Sequence, residues 1–132
     1  MRLLLDTHIF LALIGSSGAA SLPARVAALL ADDEAEPHLS VASLWEIAIK
    51  SRLGKLKLWV DLDALPALIS GLGVRIVAID ERHALAALDP EPMTRDPFDR
   101  MLLAQCQIEA FKLVTIDRAL VSHPLAATAL GR

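Results

Sequence analysis

The chain has 132 residues, 55% hydrophobic and 22% charged, with a formal net charge of −3; these values predict one domain (1–132) with a real core and exclude a disordered chain. There is no tyrosine, and Trp45 and Trp59 are the only tryptophans, so the composition argues against an aromatic stacking platform for bases, and at this net charge any affinity for nucleic acid must be local. No apolar run reaches membrane-spanning length, MRLLLDTHIF meets an acid at position 6 and does not read as a secretory signal, and a lone Cys106 on an apolar helix face fits packing in a reducing cytoplasm.

RLLL (2–5) is a short apolar run closed by Asp6 and predicts a buried strand. Thr7 then caps a helix over about 8–14, which GSSG stops. SLPARVAALLA (21–31) predicts a helix with Ser21 as cap and Pro23 near the first turn, ended by the acidic run DDEAEP. After HLSV a helix is expected over 41–53, closed by Gly54; VDLDALPALISGLG (60–73) predicts another, interrupted or begun at Pro66. VRIVAI (74–79) is β-branched and bounded by Gly73 and Asp80, hence a strand, followed by a helix over about 80–88 and a loop holding Pro90 and Pro92. RDPFDRMLLAQC (95–106) opens a helix to about 110, with Asp96 as N-cap and Pro97 in the first position. FKLVTI (111–116) is a strand ending at Asp117, RALVSHP adds a helical turn, and the tail from 125 offers an edge strand.

Short apolar strands separated by helices predict an α/β fold, a central and mainly parallel sheet of four to five strands with helices on both faces. Ligands of such sheets sit beyond the carboxyl ends of the strands, where the connection direction switches. Three strands end in an acid, Asp6, Asp80 and Asp117, and this rule alone does not choose among them.

Two further acids lie on helices. At 100° per residue, Leu102, Leu103, Cys106 and Ala110 all fall within about 60° of Asp99, so this aspartate points along an apolar seam. Glu46 lies at the edge of the arc formed by Ala42, Trp45, Ile49 and Leu53, overlooking a groove. Each acid also has an ordinary explanation. Asp6 and Asp117 can be turn or cap residues, Asp99 can serve the helix dipole, and Glu46 can complete a capping box with Ser43 or an i,i+4 surface pair with Lys50. The economical alternative is that all four converge. Carboxylates about 5 Å apart repel by roughly 3 kcal/mol per pair at an effective dielectric near 20, so such a cluster stays ionised only around a cation. Oxygen donors favour Mg²⁺ or Mn²⁺. His8, His38, His83 and His123 are scattered, without zinc-ligand spacing, and read as surface or cap residues.

Four segments, LLLDTHIFLALI, SVASLWEIAIKSRLGKL, RDPFDRMLLAQC and KLVTIDRAL, occur in this order from end to end. In them the chain resembles the PIN-domain ribonucleases, and among these the VapC-like toxins of type II toxin–antitoxin systems. The resemblance implies a PIN-like three-layer sandwich and a Mg²⁺- or Mn²⁺-dependent endoribonuclease whose metal and catalytic acids match Asp6, Glu46, Asp99 and Asp117. Asp96 either shares the metal or only caps the helix, and Thr115 matches a supporting hydroxyl position. The sequence departs from the family where a histidine often precedes DPFD; Met93 and Thr94 stand there. The implied partners are an RNA substrate, a cognate antitoxin and a second copy in a homodimer, in the cytoplasm and away from membranes.

KSRLGKLK (50–57) carries Lys50, Arg52, Lys55 and Lys57 without an acid. It reads either as a solvated helix end whose cations suit the dipole or as a track for RNA phosphates beside the cleft. Rival readings are a catalytically degenerate PIN-like module that binds RNA or protein, a phosphatase using Asp6 as nucleophile, and a receiver-like phosphoacceptor. The phosphatase lacks its second aspartate, position 8 being histidine, and the receiver lacks its late lysine, Arg118 standing after Asp117.

Overall fold

A computed structural model describes residues 1–127. The elements run β1 (Arg2–Leu5), α1 (Thr7–Ile14), α2 (Ala24–Ala31), β2 (Glu36–Ser40), α3 (Val41–Arg52), α4 (Leu65–Gly71), β3 (Arg75–Val77), α5 (Glu81–Leu85), α6 (Pro97–Glu109) and β4 (Lys112–Val114). Short 3₁₀ turns span Gly18–Ser21 and Leu62–Ala64. The four strands form one parallel sheet in the order β3-β2-β1-β4.

The pleat of β1 explains the layers. Successive strand residues face opposite sides, so Leu3 and Leu5 join one apolar cluster and Leu4 the other. The first cluster takes Ile9 and Phe10 from α1, Val26 from α2, Ile47 from α3 and Ile69 from α4. The second takes Leu102, Leu103 and Cys106 from α6, with Leu113 of β4. Helices cover both faces, giving the expected three-layer α/β sandwich. A run of leucines suits a strand buried on both sides, where alternation would not.

Several local expectations change. β2 was not foreseen, because Glu36, Pro37 and His38 mask its apolar end. β3 joins β2 only from His38 onward, so at Pro37 β2 is still an edge strand and a missing N–H is tolerated there. Thr7 is the first residue of α1 rather than its cap, and Asp6 holds the cap position. Ser21 does not cap α2; its hydroxyl donates to the Gly18 carbonyl at 2.8 Å, closing the preceding 3₁₀ turn, and Pro23 stands at the N-cap. Ser40, not Ser43, caps α3, accepting from the Ala42 N–H at 3.0 Å. RALVSHP folds as turns. Ala126 makes a single parallel bridge to Leu113, and the rest of the expected tail strand lies outside the described residues. Among the described residues, no helix is long and apolar enough to cross a membrane.

Candidate active site

From β1 the chain moves to β2 and then β3 on one side of the sheet, and later returns to β4 on the other. The connection direction therefore reverses at the β1–β4 boundary, where the crevice of an open α/β sheet forms. Asp6 follows β1 there, and Thr115 and Asp117 follow β4. The ladder continues into the site through Asp6 N–H, which donates to the Val114 carbonyl at 2.9 Å.

Although Asp6 occupies the N-cap of α1, its side chain makes no capping bond. Its Oδ2 instead accepts from the Thr115 hydroxyl at 2.7 Å. That same hydroxyl accepts the Asp117 N–H at 3.0 Å, so one threonine links the ends of both strands. Asp6 is only 3% exposed. Burial pushes its carboxyl above the ordinary range and the charge of Asp117 adds to the push, while the Thr115 bond opposes it. Asp117 Oδ1 accepts the Ala119 N–H at 2.8 Å, which holds its turn.

Asp99 reaches the same place from α6. Its carboxyl is pushed up to about 6, chiefly by burial and further by the charges of Asp96, Asp6 and Asp117. The Thr94 hydroxyl, which donates to Asp99 Oδ2 at 3.0 Å, works against this rise. Asp96 is the α6 N-cap, its Oδ1 accepting from Phe98 N–H at 2.8 Å and Asp99 N–H at 3.3 Å. Thr94 also accepts the Asp96 N–H at 3.2 Å, so it braces both the cap and the seam acid.

Glu46 is the fourth acid, 6% exposed, with Oε2 accepting from Lys50 Nζ at 2.7 Å. The i,i+4 pair exists, but its acid is buried rather than on the surface. Lys50 is held above its usual range first by this bond, with Asp96 and Asp99 contributing, so its ammonium belongs to the same electrostatic centre. A buried bond from the Thr7 hydroxyl to Ser43 Oγ at 2.8 Å ties α1 to α3, fixing Glu46 relative to Asp6. Ser43 thus serves a different purpose from the capping box expected of it. Neither this bond nor Thr94 was named from sequence as part of the site. Thr94 carried a signal nonetheless: a hydroxyl two residues ahead of an N-cap aspartate is placed to accept that residue's N–H.

The sequence family described as PIN domain matches residues 3–124. The chain belongs to the PIN domain family. This PIN domain is similar in structure to a chain of a toxin–antitoxin complex from Klebsiella pneumoniae, at 22% identity and a TM-score of 0.62, with 95% of each chain covered. At that identity the likeness is one of fold. No curated protein matches its sequence.

Among the described residues of this PIN domain, the one trio with ligand atoms within 4.8 Å of one another is Asp80, His83 and Glu109. It already has a cation of its own. Arg82 contacts Asp80 Oδ2 at 2.9 Å and Glu109 Oε2 at 2.6 Å. His83 Nδ1 accepts the Asp80 N–H at 3.0 Å and Nε2 donates to Glu109 at 2.8 Å, with Asp80 and His83 forming the capping box of α5. The third strand-end acid is therefore a structural cap.

The β1–β4 crevice offers a wider set of oxygen donors, with no three of Asp6, Glu46, Asp99 and Asp117 inside that 4.8 Å limit. A hard divalent ion keeps several waters and takes one or two carboxylates directly, so it does not require three of these oxygens in mutual contact. The chemistry of the donors agrees, since buried acids with raised pKa values gain most from a cation.

The remaining residues sort by burial. Arg52, Lys55 and Lys57 are exposed and Lys50 partly so. Cys106 is buried, and burial pushes its thiol far above the ordinary range, as a packing residue requires. His83 is the cap that was expected. His38 and His123 depart from the surface-or-cap expectation: both are buried, His38 bonded to the Glu36 carbonyl at 2.8 Å and His123 to the Pro90 carbonyl at 2.9 Å.

Proposed function

We propose that this PIN domain is a metal-dependent endoribonuclease, the toxin of a toxin–antitoxin pair, working with Mg²⁺ or Mn²⁺. The observation that carries the reading is the meeting of Asp6, Asp99 and Asp117 at the β1–β4 crevice, their like charges helping to push Asp99 up to about 6. Carboxylates gathered against their own repulsion call for a cation.

When bound, a divalent ion lowers the pKa of its water and stabilises charge on the scissile phosphate. Asp6, Glu46, Asp99 and Asp117 would hold it, with Asp96 beside them at the α6 cap. Thr115 aims the Asp6 carboxylate and Thr94 aims that of Asp99. Lys50 offsets the charge of Glu46, and Arg52, Lys55 and Lys57 receive RNA phosphates from the adjoining surface. The Klebsiella pneumoniae neighbour, which is part of a toxin–antitoxin complex, supports an antitoxin as cognate partner. A homodimer and a cytoplasmic setting complete the proposal.

The test is cleavage of structured RNA with Mg²⁺ or Mn²⁺ by wild type and Asp6→Asn. Cutting by wild type alone supports the reading. Equal cutting by both points to a contaminating nuclease, and no cutting by either favours a module that binds without cleaving.

A further inference from the structure

The two tryptophans are both largely exposed, Trp45 at 63% and Trp59 at 67%, yet they differ in what holds them. Trp59 donates its indole N–H to the Ile14 carbonyl at 2.5 Å, pinning its loop to the end of α1. Trp45 makes no hydrogen bond among the described residues. Its indole instead meets Phe98 edge-to-face, with centroids 5.7 Å apart and planes at 71°.

This pair has a specific address. Trp45 immediately precedes Glu46 on α3, and Phe98 immediately precedes Asp99 on α6. The packing that brings two acids into the crevice therefore sets two aromatic rings at its rim. One residue is a 100° step around a helix, enough to bury Glu46 while leaving Trp45 in water. An edge-to-face contact occupies at most one face of the indole, so the other stays open. Exposed cations occur along both segments, Arg52 and Lys55 after Trp45 and Arg95 before Phe98, with the exposed acid Asp96 next to Arg95. An exposed indole beside a phosphate-cutting centre complements a nucleotide, whose base is flat and whose backbone is anionic.

We propose that Trp45, braced by Phe98, is the stacking platform for an unpaired nucleobase next to the phosphate that is cut; this rests on the nuclease reading. The composition argued against such a platform because it counts aromatic residues without locating them. One indole at the right place suffices. A base held in a duplex has no free face to offer, so the substrate is a single strand or a loop.

The experiment has two arms. In a Trp59→Phe background Trp45 is the only indole, and its fluorescence is titrated with single-stranded and duplex oligoribonucleotides in EDTA. Quenching by the single strand and not by the duplex is expected. In the second arm, Trp45→Ala raises KM for a single-stranded substrate by roughly 5- to 100-fold, the range for loss of one stacked base. Trp45→Phe recovers most of that loss, and the Mg²⁺-induced rise in Tm is the same in all three proteins. Cleavage with unchanged KM in Trp45→Ala overturns the platform and leaves the nuclease standing, as does equal quenching by duplex. A Trp45→Ala protein that loses only self-association, with KM intact, overturns it in favour of a protein interface. Absence of RNA cleavage by the wild type overturns the nuclease reading itself.

Discussion

Replacing Asp99 by asparagine should make the metal-free protein more stable while disabling its site. The folded protein raises this carboxyl from 3.8 to about 6. A shift of about two units corresponds to roughly 3 kcal/mol at full strength, and solvent screening of a partly exposed group reduces it to about 1–2 kcal/mol. The sign follows from proton counting. Between pH 3.8 and about 6 the native state binds more protons at Asp99 than the unfolded state does, so stability falls as pH rises through that window. Asp6, shifted in the same direction, adds to the slope. Asp80 and Glu109 are shifted downward, so their contributions fade only in more acidic solution, and the difference between wild type and Asp99→Asn cancels the other groups that titrate between pH 5 and 7. Asparagine removes the charge yet keeps an oxygen to accept the Thr94 hydroxyl. Thermal melts in EDTA at pH 7 should show Tm for Asp99→Asn higher by roughly 5 °C, as about 1–2 kcal/mol implies for a domain of this size. Lowering the pH from 7 to 5 should raise Tm for wild type more than for the variant. Excess Mg²⁺ at pH 7 should then raise wild type more than the variant, narrowing or reversing the gap. An Asp99→Asn protein no more stable than wild type in EDTA, with an unchanged pH slope, refutes the argument.

Thr115→Val keeps the side-chain shape but takes the hydroxyl donor from buried Asp6, so Tm in EDTA should fall by an amount equivalent to about 1–2 kcal/mol, with loss of RNA cleavage; an unchanged melt would show the bond to be dispensable. Lys50→Met removes the ammonium from the acid centre. Calorimetric Mg²⁺ affinity should rise about fivefold, matching about 1 kcal/mol for a unit charge roughly 8 Å from a divalent ion in a watery setting, and unchanged or weaker binding would place that charge outside the field of the metal. Lys55→Ala with Lys57→Ala should weaken RNA binding and reduce the slope of log affinity against log salt by about 1.4, at roughly 0.7 per lost single-strand phosphate contact; an unchanged slope removes both from the RNA track.

The sheet and the acids were legible for different reasons. β1, β3 and β4 announce themselves as apolar or β-branched runs between breakers, and α6 by a capping aspartate, a proline and an apolar seam. β2 was hidden because its exposed half carries glutamate and proline, and because its edge position at Pro37 depends on where β3 begins to pair. Asp6, Asp99 and Asp117 could be singled out because each breaks an apolar pattern at the end or along the face of an element. Asp80 breaks the same pattern for another purpose, and only its partners Arg82 and His83 reveal it as a cap. The hydroxyls were the blind spot. Thr7, Ser43 and Thr94 look like ordinary helix-start or loop residues, and their partners lie on other elements or around a turn that sequence spacing does not fix. Lys50 was legible as a cation, whereas its engagement with Glu46 needed the helix to be buried on that side.

The bond from Thr115 to Asp6 closes a gap of 109 residues along the chain. A polypeptide still being synthesised carries Asp6 from the outset, but Thr115 and Asp117 emerge only after α1 to α6 and the other three strands have been made. Until β4 has left the ribosome and slid in beside β1, the carboxylates have no common floor. A partly made chain is thereby kept from assembling the proposed nuclease centre.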